Sequence, residues 1–242
     1  MRRQTAALLL VALVAWAAGA TAILDPLGPG ARPGPVDGET PADSLAAALA
    51  ATGDRAYTVT IHAGNATDTE RRYRVAVDGT DGQALIAAPD GDPLVYLTVA
   101  DRWSKTTEGW WRHTIGEWSP TAVVADTTPI ADNPDAVTVL ARRPDTVVYA
   151  ITDTDTAYEV ATGVADITAD RPNRTTTLRV TVDRDTGLPT RVVSTVTDRD
   201  GDGADTMVRI YRFTDWGDTA VTRPPGVPVT LAELLEDLTH VR

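Results

Sequence analysis

The sequence predicts one mainly β domain of the α+β class, built on a strongly curved antiparallel sheet with a few helices. Apolar residues recur at every second position in eight short segments, the spacing that lays them on one face of a strand. Asp-Gly and Asp-Thr-Gly steps separate many of those segments and supply the backbone freedom that tight turns need. Helix-spaced apolar residues occur at only three places, each opened by a start signal.

The first helix begins at Thr40-Pro41-Ala42-Asp43, with Thr40 as N-cap, proline at the first helical position and an acid at the third. Leu45 and Leu49 share its buried face, and Gly53 stops it. From Tyr57 the period changes to two. Tyr57, Val59 and Ile61 alternate with Thr58, Thr60 and His62, and Tyr73, Val75 and Val77 alternate with Arg72, Arg74 and Ala76. Asp78-Gly79, Asp81-Gly82 and Asp90-Gly91 supply turns, and further strand-like runs occupy residues 94–99, 109–115 and 146–152. A short helix is expected from Asn133-Pro134 to about Arg143, burying Val137 and Leu140 and stopped by Pro144. Runs rich in Thr and Val at 175–182, 190–197 and 206–213 complete the sheet, for which a meander is the economical topology. Finally, Thr230-Leu231-Ala232-Glu233 is a capping box ahead of a stripe of Leu231, Leu234, Leu235 and Leu238, read as core packing.

These elements place a single domain at residues 42–242, with no internal boundary or repeat. Residues 25–41 hold Pro26, Pro29, Pro33, Pro35 and Pro41 with four glycines and almost nothing to bury, so they form a linker. Residues 1–24 form a targeting segment: Arg2 and Arg3 precede an uncharged stretch from Thr5 to Leu24. The run from Ala6 to Ala18 has the length of a signal-peptide apolar region, and Ala20-Thr21-Ala22 offers a cleavage site. The same uncharged stretch also has the length of a membrane-spanning helix, so a cleaved signal peptide and a retained anchor both fit. The linker, as a stalk, favours the anchor. Either way the domain is expected outside the cytoplasm, at the cell surface or secreted, with the membrane as partner of its N-terminal segment. Cysteine is absent, which rules out disulfides and a lipid-modified N-terminal cysteine.

The charged residues point to the surroundings. The 34 acids are 27 Asp and 7 Glu, while the 22 bases are 21 Arg and Lys105 alone. A net charge of −12 repels itself in dilute buffer, whereas in molar salt the Debye length falls to roughly 3 Å and the repulsion is screened. A halophilic, archaeal source is the expectation. Nucleic acid is excluded as a partner, because phosphate binding needs a concentrated basic face and the basic pairs Arg71-Arg72 and Arg142-Arg143 do not make one.

Two segments carry a family resemblance. Residues 179–192 read RVTVDRDTGLPTRV and residues 211–225 read YRFTDWGDTAVTRPP. Asp183, Thr186-Gly187-Leu188-Pro189, Phe213, Asp215, Gly217 and Pro224-Pro225 resemble the C-terminal half of LolA-like and LprG/LppX-like lipoprotein carriers. The resemblance covers residues 179–225 and rests on structural motifs. It implies an unclosed β-barrel of about 11 antiparallel strands, helices plugging its concave side and an apolar cavity for acyl chains. The lipoprotein cysteine of those carriers is missing here.

Candidate sites follow from residue type and crowding. Trp103, Trp110, Trp111 and Trp118 place four of the six tryptophans within 16 residues, either lining a lipid cleft or closing a hairpin by cross-strand packing. Adjacent Trp110 and Trp111 must face opposite sides of a strand. Asp198, Asp200, Asp202 and Asp205 resemble the first half of a calcium loop, but the twelfth position is Arg209 where a bidentate acid is usual, and a solvated acidic turn fits as well. Asn65-Ala66-Thr67 and Asn173-Arg174-Thr175 are glycosylation sequons in expected loops. No catalytic residue is identified, since His62, His113, His240 and the four serines stand in no nucleophile or zinc motif. No cofactor is expected. The function read from the sequence is binding of an apolar or lipid-like small molecule, the alternative being an envelope interaction module without a ligand.

Overall fold

The computed structural model describes residues 40–53, 55–65, 71–79, 82–98, 101–114, 127–162, 173–199 and 205–229. The targeting segment, the linker up to residue 39 and the expected C-terminal helix from Thr230 lie outside these residues.

Among the described residues, alternation of apolar and polar side chains produces eleven strands in one antiparallel sheet. They are β1 (Tyr57–Asn65), β2 (Arg71–Asp78), β3 (Gln83–Ala87), β4 (Pro93–Leu97), β5 (Asp101–Thr106), β6 (Gly109–Thr114), β7 (Val137–Arg142), β8 (Thr146–Ile151), β9 (Arg174–Asp183), β10 (Pro189–Asp198) and β11 (Asp205–Thr214). The spatial order is β6-β5-β4-β3-β2-β1-β11-β10-β9-β8-β7. Two meanders are therefore joined where the first strand pairs with the last, and among the described residues β6 and β7 form the two edges. The sheet is unclosed, with the strand number that the sequence resemblance implies.

Register decides which side chains share a face. Val59 lies opposite both Val75 and Phe213, and Ile61 lies opposite both Tyr73 and Tyr211. Across the other meander Val180 stands between Val192 and Tyr149. All of these except the partly buried Tyr73 are buried in one core cluster.

Among the described residues three short helices cover that face. In α1 (Pro41–Ala50), Thr40 Oγ1 accepts from the Asp43 backbone N–H at 3.2 Å, and Ala42, Leu45, Ala48 and Leu49 are buried. In α2 (Thr128–Asp132), Ile130 is fully buried. In α3 (Thr154–Thr162), Asp153 Oδ1 accepts from the Thr156 backbone N–H at 2.9 Å, and Ala157, Val160 and Ala161 are buried. Helical and sheet residues form a single cluster, so the middle of the covered face is packed with the protein's own side chains.

The helix expected from Asn133 to Arg143 is absent. A single 3-10 turn occupies Pro134–Ala136, and Val137 then begins strand β7. Val137 and Val139 face Ile151 and Tyr149 at period two, and β-branched residues favour that extended state. Leu140 is the extra residue of a bulge, without a register partner, and is 51% exposed rather than buried. β3, β5, α2 and α3 were not expected from the sequence; in β3 the apolar run Ala84-Leu85-Ile86-Ala87 is continuous and shows no alternation.

The motifs on which the family resemblance rests resolve into backbone devices. Between β9 and β10, Asp183 Oδ1 accepts from the backbone N–H groups of Asp185 at 3.1 Å and Thr186 at 2.9 Å, while Gly187 takes φ 68°. After β11, Asp215 adopts φ 56° and the Gly217 N–H donates to Ala56 O at 2.8 Å. This turn returns Trp216 onto Phe213 and Tyr57, with ring centroids 5.6 and 4.7 Å away.

Candidate functional site

The sheet's first-meander end, β4 to β6, carries different chemistry on its two faces. Tyr96, Trp103, Arg112, Lys105 and Trp110 fall on the outer face by alternation and register. There the chain after β11 crosses them. Tyr96, Trp103 and Val227 form a second buried cluster, with Leu85, Trp110 and Val221 packed on it. The Trp110 Nε1–H donates to Pro225 O at 3.1 Å, and the Arg223 guanidinium lies 5.9 Å from the centroid of the Tyr96 ring. Gly226 adopts φ 86°, and a Cβ there would sit 3.4 Å from the Trp110 ring, so the turn needs glycine for conformation and approach alike. Arg112 donates to buried Asp101 through Nε at 2.7 Å and Nη2 at 2.8 Å. On this face Trp103 and Tyr96 are covered, and Arg112, Trp110 and Asp101 have partners.

The other face is continuous with the helix-covered core, and two cross-strand rows run out of it to the β6 edge. One row is Leu97, Arg102, His113; the next is Val95, Ser104, Trp111. Val95 and Leu97 belong to the core. Beyond them the row members turn polar. Arg102 is half-buried, its Nε is shut from solvent, and it has no hydrogen-bond partner among the described residues. Burial pulls the Arg102 pKa below its ordinary value. Ser104 Oγ is likewise buried without a partner among the described residues. His113 is exposed, and its pKa is lowered first by desolvation and then by the charge of Arg102. Trp111 ends its row 65% exposed.

The tryptophans that crowd together in sequence are thus divided. Trp103 and Trp110 pack on the outer face, Trp111 stands on the opposite face, and Trp118 lies outside the described residues. Arg102 and Ser104 were not singled out from the sequence, and His113 was weighed there only as a catalytic histidine and set aside for want of a motif. The alternation around Trp103 in Asp101-Arg102-Trp103-Ser104-Lys105 put Arg102 and Ser104 together on one face. Only the pairing of Arg102 with Leu97 shows that this face is the one the core occupies.

Of the acidic turn, Asp198 accepts from Arg174 Nη2 at 2.7 Å and lies in register with Asp205, while Asp200 and Asp202 lie outside the described residues. Among the described residues no group of three or more His, Asp or Glu side chains converges as a metal site. Asn173 is exposed in the turn before β9. Asn65 is the last residue of β1, in register with Met207, rather than part of a loop. His62 faces outward beside Arg212, its Nε2 3.3 Å from Arg212 Nη1, on a different strand and face from His113; His240 lies outside the described residues. Among the described residues no helix is long and apolar enough to cross a membrane.

No protein-family model and no curated protein sequence matches the chain. Solved structures do. An uncharacterized conserved protein from Thermus thermophilus is similar over 80% of this chain and 96% of its own, at 10% identity and a TM-score of 0.41. A LolA superfamily protein from Nitrosomonas europaea is similar over 76% of this chain and 93% of its own, at 9% identity and a TM-score of 0.31. A chain of the Pseudomonas aeruginosa MucA/MucB complex is similar over 81% of this chain and 62% of its own, at 14% identity and a TM-score of 0.43. These likenesses concern the fold alone.

Proposed function

We propose that this chain is a binding protein that works outside the cytoplasm, near a membrane, and holds an apolar or lipid-like small molecule on the helix-covered side of its unclosed sheet. One observation carries the reading: at the β4–β6 end, that side ends in an exposed Trp111 beside buried, unpartnered polar atoms of Arg102 and Ser104. A packed interior leaves few such atoms, and each costs roughly 1–3 kcal/mol unless something else satisfies it. The extracytoplasmic place is supported by the uncharged stretch behind Arg2 and Arg3, and the saline surroundings by the excess of Asp.

A second reading, an envelope interaction module without a small-molecule ligand, is favoured by a different observation. Leu45, Leu49, Ile130 and Val160 fill the middle of the covered face. Native mass spectrometry on the full chain, purified from its own membranes in molar salt, separates the two. Retained non-protein mass of a few hundred daltons is the expected result for the binding protein. A bare chain that copurifies with other proteins would sink that reading in favour of the module.

A further inference from the structure

The row Leu97, Arg102, His113 and its neighbour Val95, Ser104, Trp111 lie next to each other on one face, residues along each strand being about 7 Å apart at every second position. Arg102 is the unusual member. Acids outnumber bases 34 to 22, and a half-buried guanidinium would readily find a carboxylate among them. Two ion pairs of the same sheet show what that looks like: Arg112 with Asp101 at 2.7 Å, and Arg174 with Asp198 at 2.7 Å. Arg102 has no such partner among the described residues, and its Nε is sealed from water. A cation removed from water without a counter-charge is expensive, and an anion arriving from outside would repay much of that cost.

The neighbours fit the same visitor. Ser104 adds an unpartnered hydroxyl at the next same-face position of the strand, and His113 adds an imidazole directly across from Arg102. Desolvation first, and then the charge of Arg102 across the strand pair, lower the His113 pKa. Trp111 supplies exposed apolar surface beside the polar groups, while Val95 and Leu97 continue the two rows into the packed core. We propose that Arg102, Ser104 and His113 hold the anionic headgroup, a carboxylate or a phosphate monoester, of a single-chain amphiphile whose apolar part lies against Trp111. This rests on the binding reading above and narrows its ligand class.

The test measures dissociation constants for the full chain in molar potassium chloride. The probes are dodecanoate, dodecyl phosphate, neutral dodecanol and inorganic phosphate. At least one anionic probe binds about tenfold or more tightly than dodecanol, the scale of hydrogen bonds to a charged group. Whichever of the two wins identifies the source as carboxylate or phosphate. Arg102→Met removes that preference and leaves dodecanol binding in place, Arg102→Lys restores part of it, and Trp111→Ala weakens every alkyl probe. Circular dichroism of each variant confirms that it is folded. If Arg102→Met unfolds, Ser104→Ala serves in its place, with the same anion-selective loss expected.

Failure separates cleanly. Equal binding of dodecanol and the anions, or anion binding untouched by Arg102→Met, overturns the headgroup assignment while the binding reading stands. Inorganic phosphate binding as tightly as dodecyl phosphate would make this a free-ion site and overturn the amphiphile. Anion binding that emerges only in a Glu233→Gln/Glu236→Gln/Asp237→Asn variant would assign Arg102 to the chain's own C-terminal acids. Absence of binding by every probe overturns both readings.

Discussion

Two ionisable side chains record how their environments differ. Tyr211 is fully buried under the helices, and burial raises its pKa, with the Arg209 charge and hydrogen bond opposing that shift only in part. The folded state keeps this proton, while the unfolded chain releases it near the ordinary value of 10.0. Stability therefore falls as pH rises through and above that value. Urea midpoints at pH 9 and pH 11 should decline in native protein and decline less in Tyr211→Phe; equal declines would contradict the assignment. His113 shifts the other way. Its folded pKa lies below 6.5, so its contribution is present above that pH and is lost as pH falls below it. An NMR titration should find the imidazole midpoint under 6.5. Arg102→Met should raise it without restoring the ordinary value, because desolvation is the larger cause. The strand that carries Tyr211 was readable in the sequence, but its buried face was not, since Val208 and Ile210 alternate with Arg209 and Tyr211. His113 reads in sequence as part of a polar strand face, and nothing in its local sequence shows that Arg102 sits across from it.

Elements differ in how much of their identity is local. Helix α1 was legible because its cap, proline and leucines all lie within ten residues of Thr40. Leu45→Ala should cost about 2–5 kcal/mol in denaturant unfolding, since Leu45 has no exposed surface and sits in the core cluster. Thr40→Ala should cost about 1 kcal/mol by removing the cap. Strand β7 was misread because Val137 and Leu140 are three apart, a spacing that suits one helix face, and only pairing with β8 reveals the bulge between Val139 and Ala141. The bulge makes a prediction that a helix would not share. Leu140→Asn should change stability by less than about 0.5 kcal/mol, whereas Ile151→Ala on the paired strand should cost about 2–5 kcal/mol. A large loss at Leu140 would mean that it is buried after all.

At the scale of the whole molecule, long-range pairing and charge dominate. The first and last strands meet at the centre of the sheet, so no stretch of local sequence closes it, and β6 and β7 remain as edges. A net charge of −12 with no cysteine leaves packing and screening to hold the chain together. On dialysis from molar salt to dilute buffer the domain should lose its folded circular dichroism, and an unchanged spectrum would contradict the halophilic expectation.

The curved sheet itself was written locally, in period-two alternation, Asp-Gly turns and a capped first helix, because strand and turn preferences act over a few residues. The same holds for the Asp183–Pro189 turn, which its own residues close, whereas the turn at Asp215–Gly217 is tied to distant Ala56. What tertiary structure alone decided was facing. A one-residue change of register exchanges the two sides of a strand, so the sequence could crowd four tryptophans together without saying which would be covered. Crossing of the outer face by residues 221–227 buried Trp103 and anchored Trp110, and pairing with Leu97 set Arg102 on the side of the core. In the proposed headgroup site Arg102, whose Nε has no hydrogen-bond partner among the described residues, stands beside Trp111 of the tryptophan crowd, and that grouping becomes visible only once the strands are in register.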